Sequence, residues 1–361
     1  MSVRRLSTRR LLGPGDVPAT REDFEVVGAF NPGAVRAGDE VVLLVRVAER
    51  PRARRPGLTG LPRWDPFEGL TTDWVPDADL EPIDPRVVRR KADGLVRLTF
   101  TSHLRVIRCG AGRDVREVTG TTFRPQGELE EFGVEDPRIT PIGEGFYFTY
   151  VAVSRHGPAT ALAFTADFRT FERLGLIFCP ENKDVVLFPE ALPGSGSSRG
   201  SWAALHRPVC ATPFTRPEMW VAGSDDLLRW GCHRPLSLDG ADWRSGRVGA
   251  GAPPIRIAEG WLEIYHGNRQ PARPGEVGMY YGGGLLLDPD DPARVLRRTP
   301  EPFLIPEADF EVAGFVPGVV FPTGVVQDGE RLLVYYGAAD ACTAIAEYSR
   351  EELLGAMTAP G

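Results

Sequence analysis

The chain of 361 residues carries 42 Lys and Arg against 49 Asp and Glu, a formal net charge of −7, and 42% of it is hydrophobic. That apolar content excludes a disordered chain, and the acidic balance argues against a nucleic-acid binder. Forty-one Gly and 33 Pro, spread along the chain, exclude a coiled coil or helical bundle and point to many short strands.

Residues 1–24 read as a solvated N-terminal arm, with Arg4, Arg5, Arg9 and Arg10 followed only by Leu11 and Leu12 before Gly13-Pro14. That apolar stretch is too short for a secretory signal, and no run approaches a membrane span. Strand-like runs then recur: Glu40–Ala48, Leu95–Ile107, Gly145–Val153, Ser201–His206, Trp261–His266 and Arg331–Gly337. They are rich in β-branched and aromatic residues, which is strand chemistry. A second strand follows several of them, at Ala159–Thr165, Met219–Gly223 and Met279–Leu287, and then a polar turn such as Asp167–Arg173 or Asp225–Trp230. This loose repeat of meanders has the period of propeller blades, five or six in number. The alternative, two tandem β-sandwiches, lacks a linker; Pro193–Gly200 is too short and reads as a hairpin loop. An insertion at about residues 50–84, with the basic cluster Arg50, Arg52, Arg54 and Arg55, reads as irregular. Residues 25–350 read as one propeller domain, and the 351–361 tail follows, with a short helix at Arg350–Met357. Five scattered cysteines (Cys109, Cys179, Cys210, Cys232, Cys342) show no metal-ligand spacing and read as reduced thiols of a cytoplasmic protein.

In a propeller, polar residues at the starts of inner strands converge on one pocket, so the polar punctuation is where chemistry is sought. Gly133–Arg138 (GVEDPR) places two acids before a proline. Proline biases Asp136 to an extended conformation, and alternation along a strand then lets only one of Glu135 and Asp136 face a pocket. Such a carboxyl is a candidate general acid; equally, Asp136 caps a turn and pairs with Arg138. Lys183, between Asn182 and Asp184, is a candidate anion ligand or a solvated lysine. His206 and Arg207 close a strand together and suit a phosphate or an oriented carboxylate. Tyr265 and His266 end another strand, Asp340 follows a small-residue turn, and Asn31 precedes Pro32 with Arg46 on the next strand. Each of these also has a purely structural reading.

Taken together and in order, AFNPGAV, LLVRVAE, GVEDPRIT, PENKDVVLFPE, ALHRP, GWLEIYHG, VVFPTG and YYGAAD resemble glycoside hydrolase family 130, the β-mannoside phosphorylases and related β-mannosidases, over residues 25–350. The resemblance implies an all-β five-bladed β-propeller. It implies an inverting reaction in which inorganic phosphate, a co-substrate, attacks a terminal β-mannoside to give α-mannose 1-phosphate. Asp136 takes the acid role, its proton travelling through a mannose hydroxyl. Arg173, Lys183, His206, Tyr265 and His266 correspond to the phosphate cluster, and Asn31, Arg46 and Asp340 to the mannose site. Arg155 and Arg207 are candidates for either. No cofactor or metal is implied, and the partners are an oligosaccharide and phosphate, with a homo-oligomer left open. The N-terminal third is most similar to the branch acting on β-1,2-linked oligomannosides. Hydrolysis, β-1,4-linked substrates and a non-catalytic sugar-binding propeller are the alternatives. Trp64, Phe67, Thr71, Thr72 and Trp74 of the insertion are read as an acceptor-selecting lid or a packed surface loop.

Overall fold

Along the strand Glu40–Pro51, every residue from Val41 to Glu49 is buried. Adjacent side chains on a strand face opposite ways, so a continuous buried run requires a second layer on each face. Leu43 packs with Leu333 and Ile345 on one side, and Leu44 packs with Val106, Phe148 and Tyr150 on the other. This pattern repeats through the molecule and accounts for apolar runs that do not alternate.

The computed structural model describes residues 3–192, 201–209, 216–236, 238, 241–271, 273 and 275–360; Pro193–Gly200 and Cys210 lie outside the described residues. Its architecture is all-β. Five antiparallel sheets follow in chain order. The first comprises Phe24–Ala37, Glu40–Pro51, Thr101–Cys109 and Val115–Phe123; the second comprises Gly133–Ile142, Gly145–Ser154, Gly157–Thr165 and Glu172–Phe178. The third comprises Asn182–Leu187, Trp202–Pro208, Trp220–Ser224 and Gly231–Pro235. In the fourth, Val248–Ala250 and Ile255–Ile257 both pair with Gly260–Asn268, followed by Tyr280–Leu287 and Val295–Arg298. The fifth holds Val320–Asp328, Arg331–Ala338 and Cys342–Ser349, and its outer strand is Ser7–Leu12 from the other end of the chain.

Each sheet shares a hydrophobic layer with the next. Leu162, Phe178 and Leu187 join the second and third; Val186, Leu205, Trp261 and Leu285 join the third and fourth. Leu262, Leu286, Leu332 and Tyr348 join the fourth and fifth, and Leu43, Ile107, Leu333 and Ile345 join the fifth back to the first. Each fully buried Leu, Val or Ile contributes roughly 1.5–3 kcal/mol.

Three sequence expectations change. The stretch set apart as an N-terminal arm supplies Ser7–Leu12 to the fifth sheet, and Arg5 is not solvated: its guanidinium donates to the buried Glu311 carboxylate at 2.9 and 3.1 Å. The insertion is ordered, with a hairpin of Leu58–Asp65 and Gly69–Pro76 and a three-stranded sheet of Leu80–Asp84, Val87–Arg90 and Val96–Leu98. The single run expected at Leu95–Ile107 therefore splits between this small sheet and the first large one. At the C-terminus the helix spans Arg350–Gly355, where Ser349 Oγ accepts from the Glu352 amide at 3.3 Å, an N-cap that fixes its start.

Candidate active site

The first strand of each sheet is interrupted at a comparable place. Register shifts fall at Phe30/Gly33, Glu135/Arg138, Lys183/Val186 and Pro322/Gly324, and in the fourth sheet the strand breaks between Ala250 and Ile255. A bulge re-aims side chains out of the alternating pattern. In the first three sheets it turns Asn31, Asp136, Lys183 and Asp184 toward one cavity of about 170 Å3, which Arg247 and Asp340 reach from outside the strands.

The bulges coincide with left-handed backbone. Asn31, Asp136 and Asp184 have φ of 48°, 47° and 56°, and Asp340, in the turn after Arg331–Ala338, has φ of 49°. Asn and Asp tolerate this region better than other side chains, yet each such residue costs roughly 1–3 kcal/mol unless its surroundings enforce it. The expectation for Asp136 is thus corrected. It is not extended, and because the strand bulges at this point both Glu135 and Asp136 line the cavity.

Asp136 sits at the centre of a hydrogen-bonded group. Its Oδ1 accepts from Asn31 Nδ2 at 2.8 Å and from an Arg46 terminal nitrogen at 2.9 Å. The other Arg46 terminal nitrogen donates to Glu135 Oε1 at 2.6 Å, and Arg46 Nε donates to Ser102 Oγ at 3.1 Å. Arg138 donates to the Asp136 carbonyl at 2.5 Å and to the Gly251 carbonyl at 2.6 Å, fixing the bulge from behind. Burial opposes the charge on Asp136, but Arg46, Arg138, Lys183 and the Asn31 hydrogen bond together hold its carboxyl below the usual range.

A second group adjoins it. Asp184 accepts from Arg207 Nε at 2.7 Å, with His266 Nε2 at 3.3 Å and Arg138 at 3.7 Å. Burial again opposes ionisation, and Arg207, His266 and Arg138 overcome it, leaving Asp184 well below the usual range. Lys183 Nζ stands 3.7 Å from Glu135 Oε2, and Arg247, exposed, lines the same cavity. Across the cavity Asp340 lies 3.5 Å from Arg86, which also donates to Asp84 at 3.0 Å. Burial pushes the Asp340 carboxyl up, with Asp136 and Glu135 adding to the effect against Arg86 and Arg46.

The structure therefore brings together Asn31, Arg46, Asp136, Lys183, Arg207 and Asp340, with His266 behind Asp184. It does not bring Arg173, His206 or Tyr265 to the cavity. Arg173 lies over the Phe123 ring at 3.9 Å and binds Glu130 at 3.1 and 3.2 Å. His206 points to the opposite face from Arg207, stacked on Phe178 and held by Asn182 at 3.0 Å and His233 at 3.1 Å. Burial, with His233 beside it, pushes the His206 pKa down to about 3, so it carries no charge for an anion at neutral pH. Tyr265 packs on Trp243 and accepts from Arg244 at 3.3 Å. Arg155 pairs with Glu131 at 2.7 and 2.8 Å and lines a neighbouring cavity. Of the insertion aromatics, Trp64 lines a different hollow, beside Arg173, and Phe67 stands 97% exposed at a hairpin tip.

Sequence reasoning missed Arg86, Asp184 and Arg247 as pocket residues. Asp184 had a usable signal, since it follows Lys183 directly. Arg86 had none, because it reaches the cavity from the inserted sheet.

A ring of carboxylates and guanidiniums at strand ends, with one carboxylate central, offers charged hydrogen-bonding groups of both signs to a polar ligand. Residues 98–359 match the family model described as beta-1,4-mannooligosaccharide phosphorylase, and the chain belongs to that family, glycoside hydrolase family 130. It is 39% identical over 98% of both chains to the beta-1,2-mannobiose phosphorylase of Listeria innocua. It is 35% identical to the 1,2-beta-oligomannan phosphorylase of a Thermoanaerobacter species, over 61% of this chain and 69% of that one. The solved Listeria innocua enzyme in complex with beta-1,2-mannobiose superposes with a TM-score of 0.87, covering 97% of this chain and 99% of that one at 38% identity.

Proposed function

We propose that the protein is an inverting phosphorylase of terminal β-1,2-mannosides, releasing α-mannose 1-phosphate and a shortened acceptor. The five sheets are read as blades of one closed five-bladed propeller, a single catalytic domain that extends beyond residues 25–350 to take in Ser7–Leu12. The pairing of Ser7–Leu12 with Cys342–Ser349 and the layer between the fifth and first sheets support closure.

Asn31, Arg46, Asp340 and Arg86 hold the terminal mannose. Lys183, Arg207 and Arg247 hold phosphate, and Asp136 lies between the two groups. A phosphate oxygen forms a bond to the anomeric carbon on the face opposite the leaving oxygen. The glycosidic C–O bond breaks, and the leaving oxygen takes up the proton that Asp136 supplies, relayed by a mannose hydroxyl. The cations around Asp136 favour its ionised form. A bound phosphate offsets the cations that stabilise its charge and adds a like charge nearby, so the carboxyl gains a proton as the substrates assemble.

The observation that carries phosphorolysis over hydrolysis is the state of the other carboxylates. An inverting hydrolase needs a second carboxylate to activate water. Asp184 is held well below the usual range and is a poor base, and Glu135 is engaged by Arg46 at 2.6 Å; Asp340, whose carboxyl burial pushes up, stands beside Arg86 among the mannose ligands rather than with the anion-binding cations. Phosphate brings its own nucleophilic oxygen. The scattered free cysteines Cys109, Cys179, Cys232 and Cys342 support a cytoplasmic setting. The test is to incubate the protein with β-1,2-mannobiose with and without phosphate. Mannose 1-phosphate formed only with phosphate is expected; free mannose in both cases refutes the reading.

A further inference from the structure

Arg138 directly follows the Asp136 bulge, is 1% exposed and lies behind the residues that line the cavity. Its side chain reaches groups from four sheets. Nε donates to the Gly251 carbonyl, in the break of the fourth, at 2.6 Å, and one terminal nitrogen donates to the Asp136 carbonyl of its own sheet at 2.5 Å. The other terminal nitrogen stands 3.7 Å from Asp184 Oδ1 in the third, and the guanidinium lies 5.5 Å from the Phe321 ring of the fifth. The nitrogen facing Asp184 has no hydrogen-bond partner among the described residues, an uncommon state for a buried donor. Gly251 packs so closely that a Cβ there would lie 2.2 Å from the Ile264 carbonyl oxygen. Its own carbonyl is therefore a fixed pivot for Arg138 Nε.

We infer that Arg138 is a positioning residue that couples the two halves of the site: an anion held by Lys183, Arg207 and Arg247 draws its guanidinium toward Asp184 and away from Asp136, which then takes up a proton. This rests on the phosphorolytic reading of the Asp136 site. Arg207 reaches Asp184 through Nε at 2.7 Å, which leaves its terminal nitrogens to an anion in the cavity that it lines. Positive charge shared with that anion offsets Asp184 less. Asp184 Oδ1 then closes on the unpartnered Arg138 nitrogen, and the guanidinium turns about its bond to Gly251. Asp136 loses by that turn part of the positive charge that favours its ionised form. The other ionisable groups facing Arg138 do not compete for this role. Glu263 is fully buried and burial pushes its carboxyl up, so it stays neutral. His266 faces Asp184 at 3.3 Å, and Arg207 carries the same sign as Arg138. Coupling is reciprocal, so a proton on Asp136 strengthens anion binding by the same factor.

The experiment titrates sulfate, a tetrahedral dianion that does not itself take up a proton near neutral pH, into the full-length protein. Calorimetry in buffers of different ionisation enthalpy then counts the protons taken up per anion bound, from weakly acid to neutral pH. The wild type is expected to take up about half a proton where the pH equals the raised Asp136 value. Asp136→Asn is expected to abolish the uptake. Arg138→Lys keeps the charge but not the three-way fork, and Asp184→Asn removes the charge that draws Arg138. Each is expected to bind sulfate with the uptake cut about two-fold or more. Thermal unfolding confirms that the variants fold, and since they act at opposite ends of the link, either one decides if the other is unstable. An uptake absent from the wild type, unchanged in these variants, or surviving in Asp136→Asn because His266 takes the proton, overturns the inference. So does loss of sulfate binding in both variants, which would make Arg138 a structural support alone. A wild type that binds neither sulfate nor phosphate overturns the phosphorolytic reading itself.

Discussion

Asp136→Asn separates the proton from the geometry. Both hydrogen bonds to the side chain, from Asn31 and Arg46, end on Oδ1. An asparagine amide oxygen placed there accepts the same two bonds, leaving its amide nitrogen at the Oδ2 position. Arg46 keeps Glu135 as a counter-charge, and Arg138 binds the backbone carbonyl of residue 136, which the substitution leaves in place. The variant is therefore expected to fold and to bind both substrates. What it loses is a transferable proton, a contribution of about 10²- to 10⁴-fold in rate, or roughly 3–5 kcal/mol of barrier. The assay is release of mannose 1-phosphate from β-1,2-mannobiose at saturating phosphate, with calorimetry to confirm binding. An aryl β-mannoside, whose leaving group needs little protonation, should recover much of the lost rate. A kcat within ten-fold of wild type, or an equal loss on the aryl substrate, would refute the assignment of Asp136 as proton source.

Lys183→Ala is expected to raise the KM for phosphate about ten- to hundred-fold, the worth of one charged hydrogen bond, while the KM for mannobiose changes little; parallel increases would make Lys183 structural. Glu263 is fully buried, and burial raises its carboxyl well above the usual range, against the Gly251 amide and Arg138. Its stabilising contribution is thus full at acid pH and is lost as pH rises toward its folded value. Glu263→Gln should therefore flatten the fall in melting temperature as pH rises above the ordinary carboxyl range, and an unchanged slope would place the proton elsewhere. A Cβ on Gly337 would lie 1.8 Å from Asn31 Oδ1, so Gly337→Ala should displace Asn31 at a cost of about 1–3 kcal/mol, read as a lower melting temperature with a raised KM for mannobiose. A melting temperature equal to wild type would show that Asn31 yields freely.

The meander pattern was legible because strand chemistry and turn residues repeat along the whole chain. The insertion does not read as strands because Pro62 interrupts one arm of its hairpin and the three strands of its small sheet are only five, four and three residues long, so no periodic signal survives. Site residues were legible where the bulged strands carry visible punctuation: Asn31 before Pro32, Asp136 before Pro137. The orientation of adjacent residues was not. Alternation correctly separates His206 from Arg207, yet sequence alone does not say which of the two faces the cavity. At Glu135 and Asp136 alternation misleads, because the left-handed residue cancels it. Arg173 and Tyr265 are implied only by the family resemblance, and the buried partners that draw them away, Glu130 and Trp243, are distant from them in sequence.

The carboxylates around the small cavity hold its cations in place. Arg46, Arg86, Lys183, Arg207 and Arg247 face Glu135, Asp136, Asp184 and Asp340, so the charges of the side chains nearly cancel. Buried ion pairs add little net stability once desolvation is counted, so the arrangement is better understood as pre-organisation. Its links differ in tightness. Arg46–Glu135 and Arg207–Asp184 are at 2.6 and 2.7 Å, whereas Lys183–Glu135 is at 3.7 Å. A phosphate entering beside Lys183 therefore needs to loosen only the longest contact, and the tight pairs keep the two guanidiniums aimed while it does so. The added negative charge then falls next to Asp136, the carboxylate that has to become an acid.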